Sequence, residues 1–86
     1  MTTAKIENEV HDAVTAILTD LGVEPDSLAD SAVLGDELEL DSTDAVEIGL
    51  ALKRRLNVPV KVQVKGGETV GDLVALVLQE IQRTGS

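Results

Sequence analysis

From Ser42 to Leu56 the apolar residues cover more than half of a helical wheel. With Ser42 at 0°, Ile48, Leu52, Ala45, Leu56, Gly49, Val46 and Leu50 share an arc of about 200°. Thr43, Arg54, Glu47, Ala51, Asp44 and Arg55 fill the rest. A helix apolar over that width needs neighbours on two sides, so it reads as the central and most buried helix of a small bundle. Its start is well signalled. The Asp41 carboxylate suits an N-cap, where it accepts from a backbone N–H two or three residues on. Asp44 puts negative charge at the positive end of the helix dipole. Ser42 then stands at the mouth of the helix, in water. Lys53, Arg54 and Arg55 sit in the last turn, Asn57 suits a left-handed cap, and Pro59 blocks continuation. Gly49 lies inside the apolar arc, which predicts a close approach by another helix.

Two further helices are predicted. The first runs from about Thr3 to Asp20, with Ile6, Val10, Ala13, Val14, Ile17, Leu18 and Leu21 at steps of three and four. Gly22 is a good residue to end it. The last runs from about Val70 to Arg83, with Thr69 as N-cap and Asp72 three residues on, close to a capping box. Leu76 falls off its apolar face and is expected to meet the segment before it. The tail Thr84–Ser86 is expected to fray. Residues 22–41 contain many turn formers, but Leu28, Val33, Leu34, Leu38 and Leu40 mark a packed connection with one or two single turns. Aligning Gly35 to the glycine of a calcium loop puts Ala32 and Leu34 where oxygen ligands are required, so that reading fails. At 58–65, Val58, Val60, Val62 and Val64 alternate with Pro59, Lys61, Gln63 and Lys65. That period of two reads as a strand, yet no partner strand is visible. An irregular or single-turn segment pinned by its valines is expected, followed by a Gly66-Gly67 turn. The fold class is therefore all-α: one domain, residues 1–86, of three main helices plus a short or irregular segment.

Composition removes several function classes. Net charge is −9, from 16 acids against 7 Lys+Arg. Nucleic acid and anionic membranes are disfavoured, and partners with basic patches are favoured. There is no cysteine, hence no disulfide, thiolate metal site or cysteine catalysis. The one histidine, His11, lies beside Asp12 and Glu7 off the apolar stripe and reads as a solvated side chain. No converging metal ligands or Ser-His-Asp arrangement stand out, so no enzymatic activity is expected. No signal-peptide pattern and no apolar run of roughly 18 residues is present. A cytoplasmic monomer is the expectation.

A carrier needs one exposed hydroxyl that another enzyme can modify. The stretch Glu37-Leu38-Glu39-Leu40-Asp41-Ser42-Thr43-Asp44-Ala45-Val46-Glu47-Ile48 resembles the acyl carrier protein family, whose pattern reads roughly Asp-Leu-Gly-x-Asp-Ser-Leu-Asp-x-Val-Glu-Leu. Leu38, Asp41, Ser42, Asp44, Val46, Glu47 and Ile48 match closely, while Thr43 stands where the family usually has Leu or Met. Chain length and helix order fit as well, and the family places a short third helix near residues 58–65. The resemblance implies that Ser42 carries a 4′-phosphopantetheine arm taken from coenzyme A, which supplies the thiol that the chain lacks. It implies a phosphopantetheinyl transferase and acyl-processing enzymes as partners. Asp41, Thr43, Asp44 and Glu47, with Glu37 and Glu39 before them, are the candidate docking residues. Asp36 adds to this acidic face. The resemblance implies service in a fatty-acid, polyketide or related specialised pathway; the family usually carries acids further along this helix, whereas Lys53, Arg54 and Arg55 occupy that end here, which with Thr43 points to partners other than the general fatty-acid synthase. An aminoacyl or peptidyl carrier remains an alternative cargo class, though Asp rather than His before the serine favours acyl cargo. An acidic helical binding module without a prosthetic group is the third reading. Storage of an acyl chain in the core stays open at this level.

Overall fold

The structure, a computed structural model, describes residues 2–64 and 66–85, with side chains described for 6–64 and 66–83. Three helices follow in order: α1 (Thr2–Asp20), α2 (Ser42–Leu56) and α3 (Val70–Gly85), with one 3-10 turn at Pro25–Ser27. The all-α bundle is as expected. α3 continues through Gly85 rather than stopping at Arg83. Ser86 of the expected frayed tail, and Lys65 of the alternating stretch, lie outside the described residues.

The hub of the bundle is α1, not α2. α1 packs against both other helices. It buries Val10, Ala13, Val14, Ile17 and Leu18, whereas α2 buries only Ala45, Ile48 and Leu52. The wide arc of α2 is not wholly covered. One flank meets α1, and at the other Val46 and Leu50 remain 63% and 50% exposed. α1 ends as its sequence predicts. Gly22 has φ +103°, the Val23 N–H donates to the Leu18 carbonyl at 3.0 Å, and the Gly22 N–H donates to Thr19 at 3.0 Å. This paired arrangement satisfies carbonyls that the last turn would otherwise leave open.

The connection 22–41 is part of the core. Ala32, Leu34 and Leu40 are buried, and Leu28 and Leu38 pack against them. Its backbone is stitched to the start of α3. Leu34 N–H donates to Glu68 at 2.8 Å, Val70 N–H to Ala32 at 3.0 Å and Gly71 N–H to Asp30 at 2.9 Å. His11 is less solitary than its sequence neighbours imply: its Nε2 lies 3.4 Å from an Asp30 carboxylate oxygen in this connection. α3 begins with a reciprocal cap, as predicted. Asp72 N–H donates to the Thr69 hydroxyl and Thr69 N–H donates to the Asp72 carboxylate, both at 3.1 Å.

Residues 58–64 form neither a helix nor a turn. Val58 and Val64 are buried, Val60 and Val62 half-buried, and Pro59, Lys61 and Gln63 exposed. That alternation is the period of an extended chain. Four β-branched valines resist helical packing of their side chains, and the alternation lets all four face the bundle. Leu76 of α3 shares a groove with Lys61 and Gln63, as its off-face position predicts. The close approach at Gly49 comes from this segment and not from a helix. A Cβ on Gly49 would stand 3.2 Å from the Val60 carbonyl oxygen and 3.9 Å from a Val62 methyl.

Gly49→Leu tests that packing. Leucine exceeds glycine in helix propensity by about 0.8 kcal/mol. Driving a side chain into Val60 and Val62 is expected to reverse the sign and destabilise by about 1–3 kcal/mol. Urea unfolding followed by circular dichroism measures the change, and a stabilised variant would contradict the approach.

Candidate functional site: the start of helix α2

Asp41 and Asp44 close a reciprocal cap around the first turn of α2. Asp44 N–H donates to Asp41 Oδ1 at 3.0 Å, and Asp41 N–H donates to Asp44 Oδ2 at 3.1 Å. Asp41 is extended, with φ −121° and ψ −171°, as an N-cap must be. Two donors that a helix start leaves open are thereby satisfied by carboxylates, and the negative charge suits the dipole. Ser42 is then the first helical residue and is spared the capping role that serine often fills. It is exposed, and its hydroxyl makes no hydrogen bond to any described residue. The result is a free nucleophilic oxygen on a rigid turn.

The turn is held from behind by Leu40, which is buried and donates its N–H to the Leu34 carbonyl at 3.1 Å. Between Leu38 and Leu40 the chain passes through Glu39, whose φ is +56°. This left-handed conformation costs a residue with a Cβ roughly 1–2 kcal/mol. Position 39 is where the carrier pattern has glycine, so the signal lay in the aligned residues themselves.

The candidate docking residues divide into two kinds. Thr43, Glu39 and Glu47 are exposed and make no hydrogen bond through their side chains to described residues. Asp41 and Asp44 each commit one carboxylate oxygen to the cap, and Glu37 Oε1 accepts from Val33 N–H at 3.0 Å inside the connection. Those three shape the site as well as charging it. The exposed pair Val46 and Leu50 was not foreseen as surface. They stand on α2 one turn apart, past the serine. The charge then changes sign along the same helix. Residues 48–67 contain Lys53, Arg54, Arg55, Lys61 and Lys65 and no acid, whereas 36–47 contain six acids and no base. Arg55 is drawn toward Asp20 of α1 at 3.8 Å, an exposed contact of little energetic weight.

An open groove leads away from Ser42. It is lined by Ala45 and Val46 on one wall and Val62, Gln63, Val64 and Gly66 on the other. Further along α2 it continues between Leu50 and Lys53 on one side and Pro59 to Val62 on the other. The three histidine, aspartate or glutamate side chains that a metal ion needs do not converge anywhere among the described residues. None of the described helices is long and apolar enough to cross a membrane.

A free hydroxyl on a capped helix start, opening into an apolar groove, suits the covalent attachment of a long flexible group. Residues 12–77 match the family described as the phosphopantetheine attachment site. The match spans more than half of the chain, and the chain belongs to that family. No curated protein matches it. Domains of this family carry 4′-phosphopantetheine covalently, and they present cargo to other enzymes without being enzymes themselves. The groove fits that group. A phosphate could be held by an exposed serine at a helix N-terminus, and apolar methyls would find Ala45, Val46 and Val62 along the groove.

Glu39→Gly isolates the cost of the left-handed turn. Glycine removes the Cβ penalty and adds about 0.4–1 kcal/mol of unfolded-chain entropy. The variant is expected to gain roughly 0.5–1 kcal/mol. A higher urea midpoint with an unchanged slope is the predicted result, and a lower midpoint would show that the Glu39 side chain contributes more than its backbone costs.

Proposed function

We propose that Ser42 is the attachment residue and that the protein is an acyl carrier. One observation bears most of this: the cap at the start of α2 is made by Asp41 and Asp44, which leaves the Ser42 hydroxyl exposed and without a hydrogen bond to any described residue. The chain has three other serines, Ser27, Ser31 and Ser86. Ser27 lies in a 3-10 turn and Ser31 in a connecting turn, and neither begins an α-helix. In the attachment step the Ser42 oxygen bonds to the phosphorus of coenzyme A that bears the pantetheine. The pyrophosphate bond breaks, 3′,5′-ADP leaves, and the serine proton passes to a base on the transferase. The bound group supplies a thiol for thioester chemistry. The protein's own part is to hold the hydroxyl outward, cap the turn beneath it and present charge to the enzymes that visit.

The partners follow from the sign change along α2. An enzyme that fits this surface is basic opposite residues 36–47 and acidic opposite Lys53, Arg54 and Arg55. That pattern favours a specialised pathway, such as polyketide assembly, over general fatty-acid synthesis. Asp41 before the serine favours acyl over aminoacyl cargo.

Incubation with coenzyme A and a broad-specificity phosphopantetheinyl transferase, followed by intact mass, tests the assignment. The wild type is expected to gain one arm and Ser42→Ala none. An arm on Ser42→Ala, or none on the wild type, contradicts it. Generic fatty-acid enzymes are expected to turn the loaded protein over at least about tenfold more slowly at low salt than their own carrier, because Lys53–Arg55 oppose a basic docking patch. Charge reversal of these three residues is expected to narrow that gap, and equal turnover of the unaltered protein would contradict the pathway reading.

A further inference from the structure

Val46 and Leu50 are the large apolar side chains that the described residues leave exposed, and both stand on the outer face of α2. They lie in one i, i+4 row whose next member is Arg54. On the helical wheel Thr43, Glu47 and Lys53 flank that row. All six residues are exposed, and Glu47, Lys53 and Arg54 form no ion pair with any described residue. The face therefore holds an apolar ridge between charges that the chain itself does not pair.

The charge order says what covers it. Residues 36–67 carry six acids in their first part and five bases in their second, so this strip is close to neutral and polar from end to end. Residues 1–35 and 68–86 carry ten acids against two bases, so most of the net charge of −9 lies off the strip. A complementary surface is basic at one end and acidic at the other. The same strip turned end for end has that order. We propose that this face is a contact between two copies of the chain, their α2 helices antiparallel about a twofold axis at Leu50. One patch then serves both copies, as twofold symmetry requires. Leu50 meets its own counterpart, Val46 meets the aliphatic stem of the copy's Arg54, and Glu47 meets the copy's Lys53. Open grooves run on both sides of the row, toward Ile17 and Leu21 on α1 and toward Val60 and Val62, so an opposed ridge has somewhere to sit.

Area sets the strength. A helix of 15 residues presents a face about 22 Å long and about 10 Å wide. That footprint is far below the roughly 800 Å² per partner of a stable complex. The dimer is therefore transient, with a dissociation constant of about 0.1–1 mM. Net charge opposes it, but at about 0.15 M salt the Debye length is about 8 Å, so distant acids are screened while charges in contact still pair. The contact goes beyond the carrier reading and holds with or without an arm on Ser42. Its consequence is regulatory: each copy lies across the other's candidate docking residues, so only the monomer meets an enzyme.

Sedimentation equilibrium of the whole unmodified chain, with amide NMR shifts followed from about 2 mM down to about 0.05 mM at about 0.15 M salt, tests this. The average mass is expected to rise above the 9.1 kDa monomer with concentration, and the shifts to move at Thr43–Arg54. Glu47→Lys and Lys53→Glu each place like charges opposite one another at both ends of the contact, and each alone is expected to weaken association by about 3- to 30-fold. Glutamate and lysine have similar helix propensities, so both variants are expected to keep their circular dichroism. An equimolar mixture of the two restores both opposite-charge pairs, and is expected to associate as the wild type does. Glu47→Lys also lowers the net negative charge, so general repulsion alone predicts tighter association where pairing predicts weaker. A wild type that stays monomeric at about 2 mM overturns the contact and leaves the face to a different protein. Shifts confined to α1 or α3, single variants that associate undiminished, or a mixture that fails to recover overturn it too. None of these outcomes bears on whether Ser42 takes an arm.

Discussion

Two carboxylates, each accepting the other's backbone N–H, determine what the first turn of α2 can do. Asp41 and Asp44 satisfy the donors that the helix start would otherwise leave open, at 3.0 and 3.1 Å. Serine is itself a common cap, and a capping serine has its oxygen occupied. Here the cap lies one residue earlier, so the oxygen of Ser42 is left over. The same carboxylates give the site its negative potential. A structural requirement of the helix and an electrostatic requirement of recognition are met by the same atoms.

Rigidity behind the serine comes from the connection 22–41 more than from α2 itself. Leu34 and Leu40 are buried in the shared core, and three backbone bonds tie residues 30–34 to residues 68–71. The connection thus behaves as a packed layer, and the left-handed turn at Glu39 delivers Asp41 to its capping position. The opposite wall of the site is built differently. Residues 58–64 hold to the bundle through alternate valines alone, with their backbone unpaired among the described residues. One wall is fixed by hydrogen bonds and the other by side-chain burial.

The helices were legible because their periodicity and caps agree. Gly22, Asn57, Asp41 and Thr69 all cap as their types predict. The candidate serine was legible for the same reason, since it directly follows a strong N-cap. Other features were not legible, each for a definite physical cause. The apolar arc of α2 overstated its burial, because periodicity counts apolar residues and cannot tell a covered flank from an open one such as Val46 and Leu50. The alternation at 58–64 was visible, but a period of two implies a partner strand, and a single extended segment docked on helices by its side chains has no pairing signal. Gly49 marked a close approach without saying what approached. Glu39 showed no periodic signal at all, since a left-handed residue is invisible to hydrophobic patterning. Only the glycine of the aligned pattern pointed to it.

The account stands on one oxygen among four serine hydroxyls. Fragmentation mass spectrometry of the loaded protein after proteolysis locates the added group directly. The account predicts the arm on the peptide containing Asp41-Ser42-Thr43, with fragment ions that bracket Ser42. An arm found on Ser27, Ser31 or Ser86 would contradict it.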